Sequence, residues 1–168
     1  MNLEQYIRDI VDFPKEWIVF KDITTLLINP EAFCYTIDKF AEKLWDVDKI
    51  VWLDARGFIF ASAVAYKLKK PLVIVRKTWK LPHDTITESY SLEYWKNSMD
   101  IHIDSINKWD KIAIVDDLLA TGWTVQASIN LVEKLGWVID SLNFVIELDF
   151  LEANKKLSKY NINSLVHY

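Results

Sequence analysis

Short apolar strands alternating with helices predict an α/β fold for this 168-residue chain, a central mostly parallel sheet flanked by helices. Three observations carry the prediction. Residues 49–53 (KIVWL) and 71–75 (PLVIV) are apolar runs separated by a small-residue helical stretch ending at Leu68, which together make a βαβ unit. The theme recurs as a strand over 111–115 (KIAIV), a loop over 116–124, a helix over 125–135 and a strand over 141–146. Strands that are apolar throughout, rather than every second residue, belong to a parallel sheet covered on both faces.

The remaining elements follow in order. Leu3, Ile7, Ile10 and Val11 recur at helical spacing, so residues 3–11 read as a helix that Phe13-Pro14 ends. Residues 18–20 are a short extended piece. Asn29-Pro30 is a cap followed by a first-turn proline, and it opens a helix through Leu44 with Phe33, Ile37, Phe40 and Leu44 on one face. Cys34 within it is expected to be a small buried hydrophobe. Residues 76–98 show no sustained period, and so long an irregular segment reads as a lid or binding loop. Residues 152–160 read as a surface helix with Lys155, Lys156 and Lys159 solvated. With no linker and no repeat beyond the βαβ theme, residues 1–168 are expected to form a single domain.

A net charge of −4 argues against a protein that coats nucleic acid, since phosphate neutralisation needs a basic face. One cysteine cannot form an internal disulfide, no secretory leader is legible, and the longest apolar stretch is about half of what a membrane span needs, so a cytoplasmic protein with no membrane contact is expected. P-loop and dinucleotide signatures are absent. His83, His102 and His167 lack metal-ligand spacing, and His83 reads as solvated.

In open α/β sheets ligands bind outside the carboxyl ends of the strands. After strand 111–115 come Asp116 and Asp117, then Ala120, Thr121, Gly122, Trp123 and Thr124 opening a helix. Small and hydroxyl residues before a helix N-terminus make a phosphate cradle. Adjacent carboxylates repel phosphate and suit sugar hydroxyls, so the stretch suggests a ribose 5-phosphate. An ordinary turn with a threonine cap is the alternative, favoured by the acidic pair alone but not by the whole stretch. Two of the three arginines, Arg56 and Arg76, fall at the ends of the other strands, where planar forks suit phosphate.

Residues 112–124, IAIVDDLLATGWT, resemble the PRPP-binding motif of type I phosphoribosyltransferases, and with FKDI (20–23), LDARGF (53–58), VRK (75–77) through KLP (80–82) and ESYSLEY (88–94) they stand in the order found in adenine phosphoribosyltransferases. The resemblance covers nearly the whole chain. It implies the type I phosphoribosyltransferase fold, with an N-terminal base-binding hood over about 1–30 and a flexible lid over about 76–98. It also implies purine salvage by a homodimeric, Mg²⁺-using transferase that makes AMP and pyrophosphate from adenine and PRPP. Carried over by residue, Asp116 and Asp117 hold the ribose hydroxyls, and Ala120, Thr121, Gly122, Trp123 and Thr124 hold the 5′-phosphate. Arg56, Arg76, Lys77 and Lys80 hold pyrophosphate, some of them across the subunit boundary. Val19, Phe20 and Lys21 read adenine, with Lys21 where arginine is usual. Glu93 exchanges a proton at the purine N7 and Arg56 shares the catalytic work, with Mg²⁺ held mainly through PRPP and water. A phosphoribosyltransferase for another base such as xanthine, or a PRPP- or purine-sensing regulator without catalysis, are the alternatives. The regulator would carry a DNA-binding segment for which no residues are spare.

One compositional feature stands apart, eight Trp against three Gly. Average usage puts Gly near 7%, or about twelve residues in such a chain. Trp17, Trp79, Trp109, Trp123 and Trp137 lie in turn settings where glycine is expected, and Trp45, Trp52 and Trp95 fall where the resembled family accepts it. Counting all eight as glycine restores an ordinary composition, which suggests a gene that reads UGA as glycine. An indole at Trp123 is expected to crowd the 5′-phosphate.

Overall fold

The computed structural model describes residues 1–92 and 95–168, with the side chains of 91, 92, 95 and 96 excepted. Chain order starts with a 3-10 turn over Leu3–Tyr6 and the antiparallel pair β1 (Arg8–Val11) and β2 (Val19–Asp22). The helix expected over 3–11 is therefore limited to its first turn. Its apolar spacing suits either structure over so short a span, and pairing with β2, reinforced by Arg8 Nη2 on Asp22 Oδ2 at 2.5 Å, decides for strand.

Helix α1 (Thr24–Leu27) and helix α2 (Pro30–Lys43) follow. Asn29 caps α2 as expected, its Oδ1 accepting from the Ala32 amide at 2.9 Å. Ile37, Phe40 and Leu44 are buried and Phe33 packs beside them, whereas Cys34 is exposed, correcting its expected burial. It lies on the outward side of the helix, off the stripe that the other apolar residues define.

The main sheet takes β3 (Lys49–Leu53), β4 (Leu72–Lys77), β5 (Thr85–Leu92), β6 (Trp95–His102), β7 (Lys111–Leu119), β8 (Val138–Glu147) and β9 (Ile162–His167) in the order β5-β6-β4-β3-β7-β8-β9. The pairs β4–β3, β3–β7, β7–β8 and β8–β9 are parallel, and only β5–β6 and β6–β4 are antiparallel. Helix α3 (Gly57–Leu68) joins α2 on one face, where Phe40, Phe60 and Val64 meet Ile50, Ala113 and Val115. Helix α4 (Trp123–Lys134) covers the other, where Ile129 and Val132 meet Val51, Leu53, Ile112, Ile114 and Phe144. Successive strand residues serve opposite cores, which is why these strands read as unbroken apolar runs.

Three sequence expectations change. Much of the irregular lid expected over 76–98 is strand instead, since residues 85–92 pair with residues 95–102 as an antiparallel hairpin on the sheet edge. Ile86 and Tyr90 pack inward, but the polar Glu88 between them interrupts the period that marks a strand. Strand β7 continues to Leu119, so Asp116 and Asp117 lie in a strand rather than a loop, held by the pairing of Asp116 with Phe144 and Leu118 with Ile146 of β8. In the tail only α5 (Ala153–Lys156) is α-helical, and β9, which sequence patterning did not suggest, closes the sheet. No helix among the described residues is long and apolar enough to cross a membrane.

Candidate active site

The carboxyl ends of β3 and β7 and the start of α4 enclose a cleft of about 290 Å³, lined by Asp54, Arg56, Asp116, Asp117 and the stretch from Ala120 through Val125. Its floor depends on one close approach. A Cβ on Gly57 would stand 2.5 Å from Asp116 Oδ1 and 3.0 Å from the Val115 carbonyl oxygen, so only glycine lets α3 start against β7 here. The Asp54–Ala55 peptide just before it is cis.

The cleft carries both signs of charge. Asp116 is pushed well above the ordinary carboxylate range, first by burial and then by the neighbouring Asp117 charge, while the Asp117 amide donates to Asp116 Oδ1 at 2.9 Å. Asp117 is raised by burial and held down by Arg56, whose Nη2 lies 2.7 Å from Asp117 Oδ2. Arg76 Nε donates to Asp54 Oδ2 at 3.2 Å on the rim. The site thus balances its own charges with internal ion pairs, and each pair offers hydrogen-bonding groups that a polyanionic, hydroxyl-bearing ligand can exchange for its own.

Gly122, at φ 78°, turns the chain into α4 and its carbonyl accepts the Gln126 amide at 2.9 Å. The first amides of such a helix have no partner within it and face the cleft end, where an anion is favoured. Trp123 is 41% exposed at this mouth, with Lys156 Nζ 4.4 Å over its ring.

The structure brings together Arg56, Asp116, Asp117 and residues 120–124, with Arg76 at the rim. Phe20 joins them, its ring 5.2 Å from the Arg56 guanidinium. Val19 is 44% exposed beside it, whereas the Lys21 amine turns to Asp9 Oδ1 at 2.7 Å and lies over the Tyr168 ring. Lys77 and Lys80 are exposed and outside the cleft lining. The residue Glu93 lies outside the described residues. Asp54 was not assigned a role in sequence, though its place directly after β3 was a signal. Tyr90, whose OH is 3.3 Å from Thr124 Oγ1, and Lys156 gave no comparable signal because the hairpin and the tail bring them in from a distance.

A glycine-led helix start, a carboxylate pair and facing guanidinium groups at the carboxyl ends of a parallel sheet fit the phosphoribosyltransferase class. The phosphoribosyl transferase domain model matches residues 24–160. The adenine phosphoribosyltransferase of Clostridium botulinum strain Hall is 54% identical, covering 100% of this chain and 99% of that one, and that of Thermosipho melanesiensis is 51% identical over 100% and 97%. The crystal structure of the Thermoanaerobacter pseudethanolicus adenine phosphoribosyltransferase superposes with a TM-score of 0.94 at 46% identity, covering 99% of this chain and 98% of that one. The Saccharomyces cerevisiae enzyme, complexed with an imino-altritol bisphosphate and adenine, gives 0.93 at 35% identity over 97% and 96%. The chain belongs to the adenine phosphoribosyltransferase family.

Proposed function

We propose that this protein transfers the 5-phosphoribosyl group of PRPP to adenine, forming AMP and pyrophosphate in purine salvage, and that it works in the cytoplasm as a homodimer. The observation that carries the reading is the cleft itself, in which the Asp116–Asp117 pair and the α4 start stand opposite Arg56. In this reading Asp116 and Asp117 accept hydrogen bonds from the ribose hydroxyls. The amides and hydroxyls of Ala120, Thr121, Gly122, Trp123 and Thr124 hold the 5′-phosphate. Residues 1–30 form a hood in which the Val19–Lys21 backbone and the Phe20 ring hold adenine, Phe20 being already edge-on to Phe13 at 5.2 Å.

The reaction forms the C1–N9 bond as the bond from C1 to the pyrophosphate oxygen breaks, and the N9 proton leaves the base. Negative charge grows on the leaving group, where Arg56 and Arg76 donate to it once they give up Asp117 and Asp54. Lys77 and Lys80, exposed outside the cleft lining, also hold pyrophosphate, some of these contacts crossing the dimer. Glu93 is assigned the proton exchange at N7. Holding base and sugar in line supplies the orientation, and a closed lid keeps water from the sugar cation.

Mg²⁺ fits the donor set as an ion carried on PRPP and water. Glu147, Asp149 and His167 are the one group of three clustered carboxylate and imidazole ligands among the described residues, and they sit at the ends of β8 and β9 rather than in the cleft. Bound with PRPP, it would neutralise part of the pyrophosphate charge.

The test is pyrophosphate release from PRPP with adenine, hypoxanthine, guanine and xanthine in turn. Activity with adenine alone is expected, and activity confined to a 6-oxopurine would overturn the choice of base.

A further inference from the structure

We propose that Glu88 and Tyr90 are positioning residues that lock the β5–β6 hairpin to helix α4, so that hairpin docking and occupation of the phosphate loop reinforce each other. This rests on the PRPP reading of the cleft. Gln126, Asn130 and Lys134 recur every fourth residue and so share one face of α4, the face turned to β5. Opposite them Glu88 occupies an inward position between Ile86 and Tyr90, both packed on the core, where an unpaired carboxylate would be costly. Both of its oxygens are taken, Oε1 by Asn130 Nδ2 at 2.8 Å and Oε2 by the Lys134 amine. Gln126 Nε2 donates to Asn130 Oδ1 at 2.8 Å, which turns the Asn130 amide nitrogen toward Glu88. The lysine and asparagine bonds hold the carboxyl below its ordinary range, so the anchor is charged at neutral pH.

Tyr90 makes the anchor sensitive to ligand. Its OH lies 3.3 Å from Thr124 Oγ1, within the phosphate loop. The phenol is the more acidic hydroxyl, so it donates to Thr124, and the Thr124 proton is left free for a phosphate oxygen. A hydroxyl that accepts one hydrogen bond donates a stronger one. Phosphate binding therefore strengthens the hairpin contact, and by linkage the docked hairpin strengthens phosphate binding by the same factor.

Hydrogen exchange at amides 85–92 of the full chain, with and without ribose 5-phosphate, tests this without relying on turnover. Ribose 5-phosphate is expected to slow exchange there by about tenfold, in the usual range of coupling between sites. Tyr90→Phe should still bind it but keep less than about a third of that slowing. Glu88→Ala should exchange faster even without ligand, with the Glu88→Lys, Lys134→Glu double swap restoring the parent rate. In turnover, Glu88→Ala should lower kcat about tenfold and, by the same linkage, raise the KM for PRPP by up to about tenfold, with the double swap restoring both. Equal slowing in Tyr90→Phe and parent overturns the coupling, and unchanged ligand-free exchange in Glu88→Ala overturns the anchor. A parent that fails to bind ribose 5-phosphate overturns the reading of the cleft, and ligand-free exchange still decides the anchor.

A separate observation carries a second inference. Trp17, Trp79 and Trp109 have φ of 70°, 70° and 80°, the left-handed region, and make up half of the six non-glycine residues found there among the described residues. Each is 74% exposed or more, so no buried contact explains the bulky side chain. Trp123 and Trp137 instead follow residues that take that conformation, Gly122 and Gly136, and the buried Trp137 indole N–H has no partner. We infer that the native gene specifies glycine at the tryptophan positions, through UGA read as glycine. Intact mass of the protein from its native host should be lower than this sequence gives by eight exchanges of an indolylmethyl group for hydrogen, and a mass equal to this sequence overturns the inference.

Discussion

Replacing Trp17, Trp79 and Trp109 together by glycine should stabilise the tryptophan-bearing chain. A left-handed conformation costs an L-residue roughly 1–2 kcal/mol, and the three φ values lie well inside that region. Glycine removes this cost but enlarges the freedom of the unfolded chain, which takes back about 0.4–1 kcal/mol at each site. Exposures of 88%, 92% and 74% leave little apolar burial to lose. The backbone bonds survive the change, since the Trp17 amide donates to Asp12 Oδ1 at 2.8 Å and the Trp79 amide to Asp100 Oδ2 at 3.2 Å without using a side chain of their own. The three turns lie on separate connections, so their effects should add, giving a gain of roughly 1.5–3 kcal/mol. At 2–4 °C per kcal/mol for a chain of this size, Tm should rise by about 3–12 °C. Thermal and urea unfolding measure it. Trp45→Gly is the control, because Trp45 is 68% exposed but absent from the left-handed residues, and it should lower stability. A triple variant no more stable than its parent would refute the argument from φ.

Three further outcomes follow from the site and its supports. Gly57→Ala should destabilise the fold by about 1–3 kcal/mol through overpacking and weaken PRPP binding in calorimetry, because the new Cβ would meet Asp116 Oδ1 at 2.5 Å. PRPP affinity should fall on acidification at a pH above that of an ordinary carboxylate, since Asp116 and Asp117 are raised by burial and must be ionised to accept two hydroxyls. The same raised value means the fold favours protonated Asp116, a stabilisation lost as pH rises through it, so Asp116→Asn should raise Tm at pH 7 while weakening PRPP binding at least about tenfold, or about 1.4 kcal/mol. Trp123→Gly should lower the KM for PRPP by about tenfold by clearing the cleft mouth and the Lys156 contact above its ring, as steady-state kinetics would show.

The sheet centre was legible because residues 49–53 and 111–115 face two cores at once and so carry an unbroken apolar signal. The cleft was legible for a related reason, since its residues follow one another along the chain at strand ends. What sequence missed depends on partners far away. Strand β9 holds Asn163 and Ser164, whose side chains meet Asn143 and Glu147 across the sheet, so its polarity hid a paired strand. The edge hairpin was masked by Glu88, whose reason for facing inward is on a helix more than forty residues later. The approach of the Arg56 guanidinium to the Phe20 ring was not legible because the two residues lie far apart in sequence, nor was the Lys21 amine's turn to Asp9 and Tyr168.

The ion pair between Arg56 and Asp117 makes recognition conjunctive. A small inorganic anion could satisfy the guanidinium but would strand a buried carboxylate, and a neutral sugar would do the reverse, each leaving one charge without its counterpart. In the proposed reading, PRPP brings a diol for Asp117 and an anionic group for Arg56 and so relieves both partners together, whereas a ligand lacking one of them should bind more weakly for want of it.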